Sequence, residues 1–145
     1  MKLSSRSRYG TRLILDIALH GKDEPVKLTD IAVRQEISLQ YLEQIMRPLK
    51  RAGYFKATRG IHGGYQLKRP PEEIRVGDIV ALLERQSCLT PCAKKRTPCD
   101  RYRGCIMRRL WLEGAQAIFT QLNHMTLADL MSAGWDSSAD EAACS

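Results

Sequence analysis

Residues 38–67 decide the fold of this chain, and they read "SLQYLEQIMRPLKRAGYFKATRGIHGGYQL". Ser38 is a residue type that caps helix N-termini, and Gly53 is one that closes helices. Between them, apolar residues recur at helical spacing: Leu39, Leu42, Met46 and Leu49. Two short segments, 54–59 and 65–69, then flank "GIHGG", whose glycines permit the positive φ that a tight turn needs. The stretch therefore predicts an amphipathic helix followed directly by a β-hairpin.

Two further helices precede this stretch. The first is predicted over 6–20, with Ser4 or Ser5 as its N-cap. Its apolar face combines five residues at helical spacing: Tyr9, Leu13, Ile14, Ile17 and His20. Thr29 is predicted to cap a second, shorter helix. Pro48 lies inside the third helix, and because it cannot donate a backbone hydrogen bond we expect it to bend that helix or to end its regular part.

The positive charge of the chain is concentrated in its first half. The net charge is +7, yet residues 1–70 carry 14 Lys and Arg against 6 Asp and Glu, whereas residues 71–145 carry 9 against 10. A basic half beside a nearly neutral one indicates contact with a polyanion such as nucleic acid. The alternative interpretation is a solvated basic face.

Three helices followed by a hairpin are the element order of a winged helix-turn-helix. In such a module the third helix enters the DNA major groove with its N-terminal residues on base edges. That end of the third helix offers side chains that can reach bases: Ser38, Gln40, Tyr41, Glu43 and Gln44. Glutamine can pair with adenine through two hydrogen bonds, and glutamate can accept one from cytosine. These five residues are the predicted base-reading set.

The hairpin would form the wing. Arg59 and His62 lie in its turn, from which an arginine can enter the minor groove and sense its width. Other basic residues are candidates for phosphate contacts: Lys2, Arg6, Arg8, Lys50, Arg51 and Lys56. The partner predicted from the first half of the chain is therefore double-stranded DNA.

The second half of the chain adds helices after the wing. "IRVGDIVALLE" (74–84) predicts a fourth helix, and the longest helix is predicted over 106–124. Four apolar residues of this long helix are spaced 4-3-4: Trp111, Ala115, Ile118 and Leu122. Such a stripe favours a seam with a second copy in a symmetric homodimer. Thr126 is predicted to cap a short last helix.

We therefore expect a mainly α fold with a small β-hairpin wing, in which a winged helix-turn-helix domain joins a long dimerisation helix. The predicted parts are a DNA-binding domain over 1–84, a cysteine-rich loop over 85–105, the dimerisation helix and a short helix over 106–132, and a flexible tail over 133–145. The first apolar stretch is broken by Arg12 and Asp16 and is too short for a signal peptide or a membrane span. A cytoplasmic protein without membrane contact is expected.

Four of the five cysteines lie in one short basic segment, "CLTPCAKKRTPCDRYRGC" (88–105): Cys88, Cys92, Cys99 and Cys105. In a reducing compartment an odd number of cysteines favours metal binding or redox chemistry over disulfides. The C-x3-C-x6-C-x5-C spacing is loose enough to wrap an iron–sulfur cluster. Structural zinc sites use closely spaced cysteine pairs, and only Cys88 and Cys92 form one. Spacing alone therefore leaves the two cofactors equally open.

Four segments carry a resemblance to a known family. "SRYGTRLILDIA" (7–18), "SLQYLEQ" (38–44), "RGIHGGYQL" (59–67) and "IRVGDIVALLE" (74–84) closely resemble the IscR/NsrR/CymR family of winged-helix transcription regulators, over about residues 1–132. The resemblance implies a homodimeric repressor on a partly palindromic operator, responding to redox state, nitric oxide or iron–sulfur supply. It also implies that Cys92, Cys99 and Cys105 hold a [4Fe–4S] or [2Fe–2S] cluster, which makes zinc the second choice.

The fourth ligand departs from the pattern of the family. Where one branch of the family has a histidine this chain has Arg108, and where another has an aspartate in the first helix this chain has Arg8. Arginine stays protonated and has no lone pair to offer a metal. Cys88 is therefore the main candidate for the fourth ligand. A carboxylate or imidazole is the alternative: Glu84, His20 or His124.

Two other functions remain open at the level of sequence. One is a regulator of the same fold that carries structural zinc or directly reactive thiols and no cluster, and the other is a small electron carrier. The chain has no recognisable catalytic triad, acid–base carboxylate pair or phosphate-binding glycine loop. Neither an enzyme nor a small-molecule substrate is predicted.

Overall fold

The computed structural model describes residues 3–84, 90 and 99–133. Within these ranges, six α-helices and one two-stranded antiparallel sheet follow in this order: α1 (Ser5–His20), α2 (Leu28–Gln35), α3 (Leu39–Arg51), β1 (Phe55–Thr58), β2 (Gly64–Leu67), α4 (Val76–Glu84), α5 (Ile106–Asn123) and α6 (Leu127–Ala133). The predicted mainly α fold with a β-hairpin wing is confirmed. Lys2, most of the cysteine segment and the tail lie outside the described residues, and the four-part division of the chain stays a prediction.

Helix α1 runs through the hydrophobic core. The Ser4 hydroxyl caps it by accepting a hydrogen bond from the backbone N–H of Ser7, as predicted. Leu13, Ile14 and Ile17 are fully buried on its inner face. The prediction that His20 shares this face is wrong: it lies exposed in the last turn, where its ring Nδ1 is 2.9 Å from the carbonyl oxygen of Asp16.

Helix α2 begins one residue before its predicted cap. It starts at Leu28 with Lys27 as the N-cap residue, because the carbonyl of Lys27 accepts hydrogen bonds from the N–H groups of Asp30 and Ile31. The expectation that Thr29 caps this helix is therefore wrong. Ile31 is the fully buried residue of α2 and attaches it to the core.

Helix α3 has the predicted cap, since the hydroxyl of Ser38 accepts from the backbone N–H of Tyr41. Its buried side differs from the predicted stripe at two positions. Ile45, which was not in the stripe, is fully buried, whereas Leu39 in the first turn is 38% exposed. The helix also continues three residues beyond Pro48, so of the two effects expected of this proline, an end to the regular helix does not occur. Proline removes one hydrogen bond, and the buried side of the helix holds the remaining turn in place. The predicted end of the helix at Gly53 is confirmed, since Ala52 is the C-cap residue and Gly53 has φ +79°.

The wing is fastened to the helical core by its second strand. Phe55 to Thr58 pair in antiparallel register with Leu67 to Gly64. The backbone N–H and C=O of Tyr65 also exchange hydrogen bonds of 2.8 and 2.9 Å with Val26, in the link before α2. The side-chain amide of Gln66 donates to the carbonyl of Gly21. The wing therefore has a fixed position relative to α1 and α2.

Close helix crossings join α4 to the rest of the fold. At Gly10 of α1 a Cβ atom would clash with the Leu83 side chain of α4, and at Gly77 of α4 it would clash with the Asn123 side chain of α5. Thr126 caps α6, as predicted. Its hydroxyl accepts a 3.1 Å hydrogen bond from the backbone N–H of Asp129. In the described part of the chain, no helix combines the length and apolar character that crossing a membrane requires.

Candidate nucleic-acid interface and cysteine segment

The outer face of α3 presents most of the predicted base-reading residues. Ser38, Gln40, Glu43 and Gln44 are all exposed. The same face continues toward the C-terminus of the helix with Arg47 and Arg51, which are also exposed. Four residues then follow one another at 4-3-4 spacing: Gln40, Gln44, Arg47 and Arg51. The last three line a cleft of about 280 Å³ with Pro48.

Arg47 is a candidate that the sequence reasoning missed. The signal was present, because Arg47 continues the polar stripe of α3 at helical spacing. Since α3 remains helical to Arg51, Arg47 lies between Gln44 and Arg51 on the exposed surface.

Tyr41 differs from the other base-reading candidates because it is half-buried. Its ring meets the ring of Tyr9 edge to face, with centroids 5.9 Å apart. The guanidinium carbons of Arg8 and Arg12 each lie 5.7 Å from the centroid of the Tyr9 ring. The tyrosine pair therefore brings two cations of α1 next to the first turn of α3, and Arg12 is the second residue that sequence reasoning missed. Arg6 is half-buried on α1.

The tip of the wing exposes Arg59 and His62, as predicted, together with Ile61 between them. Lys50 and Lys56 are exposed as well, and the Lys50 ammonium lies 5.8 Å from the centroid of the Tyr65 ring. This contact joins the last turn of α3 to strand β2. The α3 surface and the wing therefore lie on connected elements.

A buried carboxylate fixes the angle between α1 and α2. The side chain of Asp16 is 1% exposed and accepts hydrogen bonds from Arg34, at 2.6 and 3.1 Å, and from Gln35, at 2.8 Å. The Arg12 Nε donates to the Gln35 side chain at 2.9 Å. Burial alone would raise the pKa of Asp16, but the hydrogen bonds and the positive charge of Arg34 outweigh it and hold the pKa below the usual 3.8. Because α2 packs against α3, this network helps to position the exposed face of α3.

Two of the four candidate cysteine ligands belong to the described residues. Cys99 is exposed, and Cys105 is half-buried as the N-cap residue of α5, where its side chain makes no capping hydrogen bond. Thiolate sulfur is the usual ligand of iron–sulfur clusters and of structural zinc. The other two candidates, Cys88 and Cys92, lie outside the described residues. Among the residues that the structure describes, no three or more His, Cys, Asp or Glu converge on a possible metal site.

The residues at the positions of the family's other ligands have partners of their own. Arg108 donates a 3.0 Å hydrogen bond to the Tyr102 hydroxyl, and its guanidinium carbon lies 4.2 Å from the centroid of that ring. Arg8 donates to the Ser5 hydroxyl at 3.4 Å. Neither arginine can replace a metal ligand.

Among the alternative ligands, Glu84 is engaged at the start of α1. One oxygen of its carboxylate accepts a 2.8 Å hydrogen bond from the backbone N–H of Ser4. Burial raises the pKa of Glu84, but hydrogen bonds from Ser7 and Ser4 outweigh this effect and lower the pKa overall. The carboxylate therefore connects the end of α4 to the N-terminus of α1, which makes it a weaker candidate for the fourth ligand.

Comparisons with known proteins agree with this geometry. The family described as "Rrf2: Iron-dependent Transcriptional regulator" matches residues 3–133. The protein rrf2 of Nitratidesulfovibrio vulgaris is 50% identical over 131 residues, which cover 90% of this chain and 87% of that protein. The structure of CymR, the global cysteine regulator of B. subtilis, has a TM-score of 0.74 at 32% identity and covers 92% of this chain and 98% of its own. The T. potens IscR structure has a TM-score of 0.73 at 34% identity and covers 92% and 88%.

The predicted resemblance is thereby confirmed at the level of the family. The fold is that of a winged helix-turn-helix regulator, and the prediction that the chain is not an enzyme is confirmed as well. The chain belongs to the Rrf2 family of DNA-binding transcriptional regulators.

Proposed function

We propose that this chain is a cytoplasmic, homodimeric repressor that binds double-stranded operator DNA under the control of an iron–sulfur cluster. Its thiols Cys88, Cys92, Cys99 and Cys105 would hold the cluster. The signal would be redox state, nitric oxide or iron–sulfur supply. The observation that carries the proposal is the exposed polar stripe of α3, with Arg8 and Arg12 beside its first turn.

The α3 stripe combines groups that read bases with groups that bind phosphate. Gln40 and Gln44 can pair with adenine, and Glu43 can accept from cytosine, when the first turns of α3 lie in the major groove. Arg47 and Arg51 follow on the same face, where they can bind the backbone or guanine. Arg8 and Arg12 lie beside the first turn of α3, and the wing, which the last turn of α3 contacts through Lys50 and Tyr65, offers Arg59 and His62. This distribution fits a duplex held in two adjacent grooves.

The cysteine segment leads directly into the helix that we assign to the dimer. Cys105 is the residue before α5, and α5 crosses α4 closely at Gly77. A change in the ligation of Cys105 would therefore act on the start of α5 and, through α4, on the DNA-binding elements. A bound cluster would supply a centre whose charge and integrity respond to oxidants and nitric oxide. If operator DNA binds one ligation state of the protein a few kcal/mol more tightly than the other, a change of state is sufficient to shift operator occupancy.

The dimer proposal rests on an apolar face of α5 that only partly coincides with the predicted 4-3-4 seam. Trp111 is exposed, but Ala115 is buried within the chain, and Ile118 and Leu122 are half-buried. Four large side chains in its first two turns are exposed: Ile106, Met107, Leu110 and Trp111. A contiguous apolar face on the longest helix is typical of a subunit interface, and a C2 dimer is the commonest symmetric solution. Such a dimer would place two α3 helices and two wings on a partly palindromic site.

Anaerobic purification tests the cofactor. We expect a brown protein that contains iron and acid-labile sulfide. A colourless protein with stoichiometric zinc, or one with neither metal, would favour the alternative regulator with structural zinc or reactive thiols. Cys88→Ala should abolish the cluster or change its absorption spectrum, whereas the matched Cys144→Ala should leave the spectrum unchanged. A Cys88→Ala spectrum identical to that of the wild type would place the fourth ligand elsewhere.

Salt dependence of DNA binding tests the regulator itself. Specific binding should weaken steeply between 50 and 200 mM salt, by a factor of at least about 10³ if six or more phosphates are contacted. An electron carrier would show no specific complex and no such slope, and that result would contradict the proposed function.

A further inference from the structure

Ile61 is an exposed aliphatic side chain placed between two basic ones. It is 84% exposed, and no other large hydrophobic side chain among the described residues is as exposed. Its neighbours in the wing tip, Arg59 and His62, are exposed too. An isolated surface isoleucine needs no explanation, but this one lies at the apex of a turn that also exposes Arg59 and His62. The wing tip therefore presents an apolar side chain next to basic ones, a combination that can contact a polyanion such as DNA.

The turn that carries Ile61 is held by its own backbone. The N–H of Gly63 donates a 2.9 Å hydrogen bond to the carbonyl of Gly60, so Ile61 and His62 are the two central residues of a tight turn. Gly60 has φ +108°, which side chains rarely tolerate. A Cβ atom at Gly63 would lie 2.8 Å from the Gly60 oxygen. The sequence of the turn therefore fixes Ile61 at the tip.

The tip is also fixed relative to the rest of the molecule. Tyr65 is bonded through its backbone to Val26, and its ring lies near Lys50 of α3 and packs edge-on against Phe55. Because these contacts join the wing to both α1–α2 and α3, a complex that places α3 in the major groove also determines where the tip lies. Ile61 then reaches DNA as part of a rigid element rather than as a flexible arm.

We propose that Ile61 is an apolar wedge that enters the minor groove and partly unstacks one base step, while Arg59 and His62 bind the groove and backbone beside it. This inference rests on the proposed DNA-binding function and adds a residue that reads the deformability of the site. Aliphatic side chains inserted from the minor groove open base steps in this way. Pyrimidine–purine steps such as TA and CA are the most easily opened, so the wedge would favour them under the wing.

The test begins with full-length wild-type protein and a pool of random DNA duplexes. Sequences enriched by binding define the site, and 2-aminopurine is then placed in turn at each purine of that site. We expect its fluorescence to rise on binding at one pyrimidine–purine step in each half-site, since unstacking relieves quenching. Ile61→Ser should abolish this rise and weaken binding by about tenfold, which is the effect of leaving one aliphatic side chain unburied. Ile61→Val keeps a β-branched apolar tip and should retain both.

Val33→Ser is the matched control, because Val33 is 79% exposed on α2 and has the same chemistry without the wing. It should leave the fluorescence rise in place. A wild-type protein that enriches no sequence would contradict the proposed function itself. An enriched site at which the wild type gives no rise, or at which Ile61→Ser behaves as the wild type does, would reject the wedge and leave the function standing.

Discussion

Arg59 lies at the base of the wing turn, exposed and fixed by the glycines that follow it. A guanidinium in this place can enter a narrow minor groove, where A·T-rich sequence concentrates negative potential. We predict that Arg59→Ala weakens binding to the selected site by about 1–3 kcal/mol and reduces the preference for A·T base pairs under the wing. Competition binding with sites that differ only at those base pairs measures both effects.

Arg109→Ala is the control for this change, because it removes the same charge from the side of α5 where Arg109 pairs with Glu113. It should leave the site preference unaltered. If Arg59→Ala also left affinity and preference unchanged, the wing would have no place in recognition.

The buried carboxylate of Asp16 contributes to the stability of the fold through its hydrogen bonds from Arg34 and Gln35. We predict that Asp16→Asn lowers the free energy of unfolding by about 1.5–3 kcal/mol, because the charge-assisted hydrogen bonds of Arg34 and Gln35 lose their strong acceptor. The side chain of Arg34 is 34% exposed and can still reach water, which keeps the cost below that of a fully buried orphan charge. Urea unfolding at pH 7 gives the difference, with the exposed Asp23→Asn as control.

Asp16 should also make the stability of the fold depend on pH in the acidic range. The pKa of Asp16 is lower in the folded protein than its usual value of 3.8, so its contribution to stability is complete above that value. It is lost as the pH falls below 3.8 through the folded pKa. Unfolding curves of the wild type should therefore shift to lower urea concentration over that range, and those of Asp16→Asn should shift less. Equal shifts in both proteins would show that Asp16 is not the titrating group.

At the scale of elements, the crossing of α4 and α5 depends on a glycine. A Cβ atom at Gly77 would clash with the Asn123 side chain and lie 3.0 Å from the backbone carbonyl of Phe119. We predict that Gly77→Ala destabilises the fold by about 1–3 kcal/mol, since a backbone atom cannot move away cheaply. It should also weaken the response of DNA binding to loss of the cluster, because α4 and α5 connect the cysteine segment to the DNA-binding elements.

Gly104→Ala is the matched control for this crossing. A Cβ atom there meets nothing within 4 Å, and the residue does not have a positive φ. Thermal unfolding should therefore separate the two alanine variants. Equal melting temperatures for Gly77→Ala and the wild type would contradict the tight crossing.

At the scale of the whole molecule, the proposed homodimer depends on the apolar face of α5. Leu110 is 51% exposed, and a charge there would be buried without a partner in a dimer seam. We predict that Leu110→Glu produces a monomer of 16.4 kDa and loses most specific DNA affinity, because two half-sites can no longer be bound together. Analytical ultracentrifugation measures the mass, and Gln116→Glu, on another side of α5, should remain a dimer. A dimeric Leu110→Glu would show that the subunits meet elsewhere.

Much of the fold could be predicted from local sequence because its signals act within one element. Ser4 and Ser38 cap helices through hydrogen bonds to residues three positions away, and the "GIHGG" glycines set the turn of the wing. Helical periodicity also identified the inner residues of α1 and the length of α5. The start of α2 was predicted less well, because the carbonyl of Lys27 and not the hydroxyl of Thr29 accepts the first hydrogen bonds of that helix.

The sequence by itself determined the family, the order of elements, the exposed polar face of α3 and the exclusion of Arg8 and Arg108 as ligands, because each follows from residue chemistry or spacing of short range. Only the tertiary structure decided that Ile45 is buried while Leu39 is not, that Arg12 joins Arg8 beside Tyr9, and that Glu84 binds the start of α1. These facts arise from contacts between residues far apart in the chain. The periodicity of a single helix does not reveal such contacts, because they form only when one helix packs against another.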